Sequence, residues 1–556
     1  MKKNSLLCIA LLLLLSHAAL SQIITTNTTY NGVQNATGNI IILSGATLTL
    51  APGTTLLMPT GSQIRIRDGG RLLVQAGCTL RTLNNSYWEG IRVDPTSISN
   101  PATLPAVTML GTPTNVENNL IDFQDASRAL EGTVTSDGQT RLRSFELIGV
   151  EFSHCESFIL YLSTSIVPDH AIDSKIQDCK FIGDANTMVS PISFTHVDDL
   201  EILGNGFTKA DPSTIGDFIM FFNSDDILFS RNTIFNDGVG FYAQFNNIDV
   251  SNNQIASPES QAINMACNFN CDNVLISFNQ VVGNSAASAP AIYGQNISDL
   301  RILSNVVFNQ QIGISCTKSS GNSFVADNQL SLCSEAGIEI NGDNLGGADG
   351  DGLFVRCNTI IFSNTGIQLE NSAQLPVHLT EWNGFTIETD PGNEFIGNGT
   401  DINNDNLNFT WLYYVLDAAN SSLNPPTTTG GNINLVDLQN LGRYACDESL
   451  LVQTPGGGDA GARAGATQVE PTAASRLFPN PARQAAQLQL SEQWQQQTVT
   501  INLIDLSGKV VKQWPAQSYQ GAPLRIATQD LPAGHYFCRI TATGQQPEML
   551  KLIVVN

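Results

Sequence analysis

The sequence predicts an all-β protein. Its long body is a solenoid of short stacked strands, followed by a linker and a compact antiparallel β domain. Three observations carry that expectation: a composition poor in charge and rich in glycine, a motif recurring at about one coil's spacing, and an abrupt change of pattern near residue 476.

The chain opens with the features of a secretory signal over residues 1–21. Lys2 and Lys3 supply the charged region, Leu6 to Leu15 the apolar run, and Ala19-Leu20-Ser21 a cleavage site before Gln22. That run is too short to span a membrane, and no later stretch approaches ~20 apolar residues. The mature chain is therefore expected to have no membrane span and to be secreted or attached at the outer surface after export through the periplasm. Only 14% of residues are charged and 46 are glycine, which argues against a helical protein. The net charge is −24, and residues 22–450 hold 44 Asp and Glu against 16 Lys and Arg. Such a polyanion repels nucleic acid and is expected to bind anionic lipid or polyuronate poorly. Neutral sugars, cations or a basic partner remain open to it. Eleven cysteines match no disulfide framework or zinc spacing; Cys267 and Cys271 form the one close pair. Burial of the thiols in a core is the favoured reading.

An apolar-x-x-Asn-x-apolar motif fixes the body. Its anchors are Asn205, Asn232, Asn253, Asn279, Asn305, Asn328 and Asn358, with Cys179 in the same place upstream, at intervals of 26, 27, 21, 26, 26, 23 and 30 residues. Six residues before each anchor stands Asp173, Asp199, Asp226, Asn247, Asn273, Asp299, Asn322 or Gly352. These types tolerate a left-handed backbone, so one turn recurs in every unit. A third marker, a small or apolar residue opening a strand, follows 8 to 13 residues after the anchor, as at Phe218-Ile219, Gly240-Phe241, Ala262-Ile263 and Gly313-Ile314. Three strands per coil of about 25 residues describe a parallel β-helix. Stacked coils ~4.8 Å apart would align the inward Ile, Val and Phe into ladders. Asn anchors would stack through their amides.

The front, residues 39–92, shows a shorter period. Gly45, Gly53, Gly61, Gly70 and Gly77 punctuate strands every 7 to 9 residues, which reads as short-period, narrow coils of the same solenoid. A Pro/Thr-rich insertion follows over 94–118. The regular coils run over about 145–370, and an irregular cap is expected over about 371–450. Residues 453–475 form a Gly/Ala/Pro-rich flexible linker.

The tail, 476–556, opens with Leu477-Phe478-Pro479-Asn480-Pro481. It continues through Ile501-Asn502-Leu503-Ile504-Asp505-Leu506-Ser507-Gly508-Lys509 and Leu531-Pro532-Ala533-Gly534-His535-Tyr536, and closes on Lys551-Leu552-Ile553-Val554-Val555. In order and spacing these motifs resemble the type A C-terminal sorting domain of the type IX secretion system. The resemblance implies a small immunoglobulin-like β-sandwich, the type IX translocon and sorting machinery as partners, a Gram-negative source, and release or surface attachment after export. The body is similar to right-handed parallel β-helix repeat proteins, a family that spans lyases, hydrolases, epimerases and adhesins. Pectin hydrolases of that fold carry a Gly-His-Gly motif, and none occurs here.

Chemistry-bearing residues are sparse. Asp198-Asp199 and Asp225-Asp226 are paired carboxylates, but their second members are the recurring turn residues, so a structural role is the reading. His170 and His196 are one coil apart and could share a face; surface or turn positions are favoured. The stretch 341–352 places Asp343, Asp349 and Asp351 among glycines, a candidate oxygen-ligand set for calcium. No other cofactor is expected, and no catalytic residue can be assigned. Trp88, Phe221, Phe222, Tyr242 and Tyr293 are candidate sugar-stacking aromatics, with a core ladder as the alternative. The expected function is binding of glycans, polysaccharides included, or of surface partners without catalysis. The alternative is a secreted polysaccharide-degrading lyase or hydrolase on the same scaffold.

Overall fold

A computed structural model describes residues 21–437 apart from short internal stretches, the longest being 98–103, 113–119, 164–170, 210–216, 345–351 and 416–427. It also describes residues 476–554 apart from several short stretches. The proposed signal and the 453–475 linker lie outside the described residues. The chain divides into two units, 1–452 and 453–556.

The first unit is a parallel β-solenoid. One coil shows the plan. A first strand, Asp225–Ser230, passes through the Asn232 corner into a short second strand, Thr233–Phe235. A loop of variable length leads to a third strand, Val239–Ala243, and a short turn returns to the next first strand, Asn246–Ser251. Second strands stack into a 14-stranded sheet. First and third strands join in a 27-stranded sheet, because Ile263–Ser277 and Pro290–Leu303 run continuously round the corner.

Burial alternates along most strands, among them Thr47–Leu50, Gln63–Ile66 and Ile219–Phe222, as period-two side-chain placement requires. Inward residues form one continuous core. Phe152, Phe181 and Phe207 stack at 4.9 and 5.0 Å between centroids, and Phe194, Phe221 and Phe241 at 5.3 and 4.5 Å. Phe221 is therefore core, whereas Phe222 faces outward. The asparagine anchors do stack. From Asn205 to Asn358 each Nδ2 donates to the Oδ1 of the anchor one coil on, at 2.9–3.1 Å, and Asn393 extends the series. Each of those oxygens also accepts the backbone N–H of the preceding anchor, so a buried corner carries no orphaned amide there. Asp173, Asp199, Asp226, Asn247, Asn273 and Asp299 all adopt φ between 38° and 54°, the left-handed turn expected of them. Asn322 lies outside the described residues.

Four expectations need correction. The short period at the front belongs to single strands and not to narrow coils: Ile40 pairs with Ile64, Thr47 with Arg71 and Thr55 with Thr79, so the coil that begins at Ile40 already has 24 residues. The solenoid resumes by Val107, whose strand pairs with Leu72–Gln75 and Phe145–Ile148, earlier than the 94–118 insertion allowed. In the coil after Asn232 the third strand starts at Val239, which pairs with Ile219 and Ile263, two residues before the expected Phe241. Coil geometry also runs past 370, through Glu394–Ile396 and Thr400–Asn404.

Cysteine burial is mixed. Cys78, Cys155, Cys179, Cys316, Cys333 and Cys538 are buried free thiols, but Cys267 and Cys271 form a disulfide, and Cys357 is also disulfide-bonded. The pairing of Cys267 with Cys271 encloses a three-residue bulge that interrupts the register after Ala266.

The second unit is antiparallel. One sheet contains Arg476–Phe478, Ala485–Gln489 and Leu524–Ala527, and the other Thr498–Asp505, Val510–Ser518, Gly534–Ala542 and Glu548–Val554. Trp494, Leu503, Tyr519, Cys538 and Ile540 are among its buried core.

Candidate functional site

The third strands present one outward face along the solenoid. In register across six coils, one column holds Ser193, Met220, Gly240, Asn264, Tyr293 and Ser315. The column beside it holds Thr195, Phe222, Tyr242, Ala266, Gln295 and Thr317. This face is built from half-buried aromatics and hydrogen-bonding groups. The Phe222 and Tyr242 rings stack at 5.1 Å, tilted by 23°. The Tyr293 hydroxyl donates to Gln295 Oε1 at 2.8 Å, and the Ser315 hydroxyl to Glu339 Oε1 at 2.9 Å.

Tyr242 is held in place from both neighbouring coils. Its hydroxyl donates to Asp217 Oδ2, and it accepts from Asn264 Nδ2 at 2.9 Å. The ring folds back over Gly240, where a Cβ would collide with both the ring and the Asp217 carboxylate. Glycine is needed here for space and not for its backbone freedom. Behind this contact Lys209 Nζ meets Asp237 Oδ2 at 2.6 Å, both side chains almost fully enclosed (6% and 2% exposed). Burial pushes the Asp217 carboxyl up to about 6 and that of Asp237 up to about 7, against the opposing pull of Lys209 on each. Burial and the neighbouring Asp217 push the Tyr242 phenol up as well.

Two carboxyls titrating near neutrality beside a lysine and a tyrosine are groups of the kind general acid–base chemistry uses. Their enclosure decides otherwise, because Lys209, Asp217 and Asp237 are each about 95% buried or more. What reaches the surface is the Tyr242 ring, and the buried groups position it. Sequence reasoning missed this cluster. Lys209, Asp217 and Asp237 flank loops of variable length, so no fixed spacing marks them, and the two-residue register error put Gly240 out of line with Met220 and Asn264.

The residues singled out from the sequence are dispersed. Asp198, Asp225, Asn246 and Asp272 stack as a corner ladder in which each side-chain oxygen accepts the next coil's backbone N–H at 2.6–3.1 Å, a structural role. His196 sits in a left-handed turn; its Nδ1 donates to Ser163 O at 2.8 Å, leaving Nε2 to accept from Asn223 at 3.3 Å. His170 lies outside the described residues. Trp88 is fully buried, and its Nε1 donates to Gln124 O. Asp343 is exposed and bridged through its backbone to Gln374, while Asp349 and Asp351 lie outside the described residues. Among the described residues no three His, Cys, Asp or Glu side chains form a metal-holding group.

Residues 190–360 match the family described as right handed beta helix region, and residues 476–556 match the secretion system C-terminal sorting domain. No curated protein sequence matches the chain. Similar solved structures include the Streptococcus pneumoniae surface protein and adhesin PfbA, at 12% identity over 68% of this chain and 91% of that one, with a TM-score of 0.27. The periplasmic alginate epimerase AlgG is similar at 10% identity over 69% and 85%, with a TM-score of 0.20. The catalytic domain of an alpha-1,3-glucanase is similar at 10% identity over 74% and 64%, with a TM-score of 0.19. At these values the neighbours decide nothing further about this chain.

Proposed function

We propose that this right-handed β-helix protein, marked for export by its type IX sorting domain, holds a glycan chain on the outward face of its third strands and does not cleave it. The observation that carries this reading is the Phe222–Tyr242 pair, stacked and fixed through the Tyr242 hydroxyl by Asp217 and Asn264. Aromatic rings held rigid at a surface offer flat apolar area to a sugar ring at little cost in side-chain entropy. The half-buried Ser193, Thr195, Gln295 and Thr317 lie in the same columns, where their amide and hydroxyl groups would meet sugar hydroxyls. The coil rise, about 4.8 Å, is close to the length of one pyranose residue, so successive coils could meet successive sugars.

The test passes plant, algal and host polysaccharides over the immobilised full-length protein, with and without calcium, and assays for reducing ends and unsaturated products. Retention that Phe222→Ala weakens, with no product released, supports the reading. Release of product from any glycan overturns it in favour of a lyase or hydrolase.

A further inference from the structure

The same outward face carries a different chemistry in its early coils. A cleft of about 820 Å³ has Arg65, Arg67, Arg92, Asp68 and Asp94 in its lining. Three guanidiniums against two carboxylates make it locally cationic in a chain of net charge −24. Its charges are arranged unevenly. Asp94 holds two of the arginines, accepting from Arg65 Nε at 3.0 and 3.1 Å and from Arg67 Nη1 at 3.0 Å. Arg92 stands in register beside Arg65 on the next coil and makes no ion pair among the described residues. Glu131, in register on its other side, is paired with Arg128 at 3.2 Å. Like charges directly opposite on adjacent strands repel. Among the described residues, part of each guanidinium fork also remains without a protein acceptor, because Arg65 and Arg67 use one nitrogen apiece on Asp94.

We propose that this cleft binds the acidic group of an anionic glycan, a carboxylate or a sulfate ester, with Arg92 as the principal contact and Arg65 and Arg67 held by Asp94 as its walls. Guanidinium forks suit such planar or branched oxyanions because two parallel N–H donors meet two oxygens. The inference rests on the glycan-binding reading and deepens it by naming the charge class of the ligand. The acidic exterior elsewhere would repel an anionic chain, so the cleft fixes where along the solenoid an acidic sugar can sit.

The experiment uses the full-length protein and three probes: polygalacturonate, dextran sulfate and neutral dextran, each at low and high salt. Retention of either acidic polymer is expected, weakened by high salt and reduced at least about tenfold by Arg92→Gln, the loss of roughly one charge-assisted contact. Arg92→Lys is expected to keep part of the affinity, and neutral probes should not sense either change. Retention of one acidic polymer alone identifies the oxyanion. Acidic retention unchanged in Arg92→Gln overturns the proposal, as does retention of neutral dextran or another neutral glycan with no acidic one. Retention of no glycan of either kind overturns the wider reading with it. Circular dichroism of both variants guards against misfolding as the cause.

Discussion

Replacing Asn279 with alanine tests the physical basis of the whole solenoid. Its side chain is 1% exposed and makes four hydrogen bonds. Nδ2 donates to Val250 O at 2.8 Å and to Asn305 Oδ1 at 2.9 Å, and Oδ1 accepts from Asn253 N at 3.0 Å and Asn253 Nδ2 at 2.9 Å. Two of the partner groups survive truncation, since Asn305 Oδ1 still accepts the Asn279 backbone N–H at 2.9 Å and Asn253 Nδ2 still donates to Phe229 O at 3.0 Å. The Asn253 backbone N–H loses its acceptor inside the core, and the amide above loses one bond. A buried donor left unsatisfied costs about 1–3 kcal/mol. Adding the second lost bond and the small cavity gives a loss of roughly 3–5 kcal/mol on the same principle. The control is Asn273→Ala in the exposed turn ladder, where Asn273 Nδ2 meets Asn247 Oδ1 at 2.7 Å within reach of water. Its cost should stay at about 1–2 kcal/mol, the strain of placing alanine in a turn at φ 54°. Urea unfolding of both variants measures the difference, and amide exchange at Asn253 reports it locally. Exchange matters because a repeat array can open coil by coil. An Asn279→Ala variant no less stable than Asn273→Ala would refute the view that the buried amides, and not the apolar ladders alone, hold the coils in register.

Asp217 and Asp237 sit above the ordinary 3.8 of an aspartate, so the folded chain keeps protons that the unfolded chain releases. Their stabilisation is full below about pH 4 and is lost as pH rises through about 6 and about 7. For Asp217 this amounts to roughly 3 kcal/mol at about 1.4 kcal/mol per tenfold change in proton affinity. Melting temperature should fall between pH 5 and pH 8, with a shallower slope in Asp217→Asn; a rising or unchanged slope counts against the burial argument. Gly240→Ala should displace Tyr242 from Asp217 and cost about 1–3 kcal/mol by overpacking. Glycan retention and denaturation midpoint should then fall together, and a variant that keeps both is incompatible with the packing described. Burial pushes the thiols of Cys155, Cys179, Cys316 and Cys333 up to about 12. Iodoacetamide should therefore label none of the four in the native protein and all four after denaturation; mass spectrometry showing native labelling would contradict their enclosure.

The sequence by itself determined the repeat, its asparagine corner, its left-handed turn and the sorting tail. Each is a local requirement met by particular residue types at a fixed spacing. Only Asp, Asn or Gly readily takes the turn, and only an amide at each corner can donate and accept along the stack. It also showed that Asp198 and Asp225 were turn-side residues, because they travel with that turn. The tertiary structure alone decided what the faces do. Lys209, Asp217 and Asp237 converge because loops of unequal length end at one corner, and a periodicity cannot report such loops. Gly240 matters because a tyrosine two residues on folds back over it. Arg65 and Arg92 are 27 positions apart in the chain, yet they are in-register neighbours on adjacent coils. Spacing along a chain encodes which residues lie in line, while the charge that faces a cleft depends on every coil stacked around it.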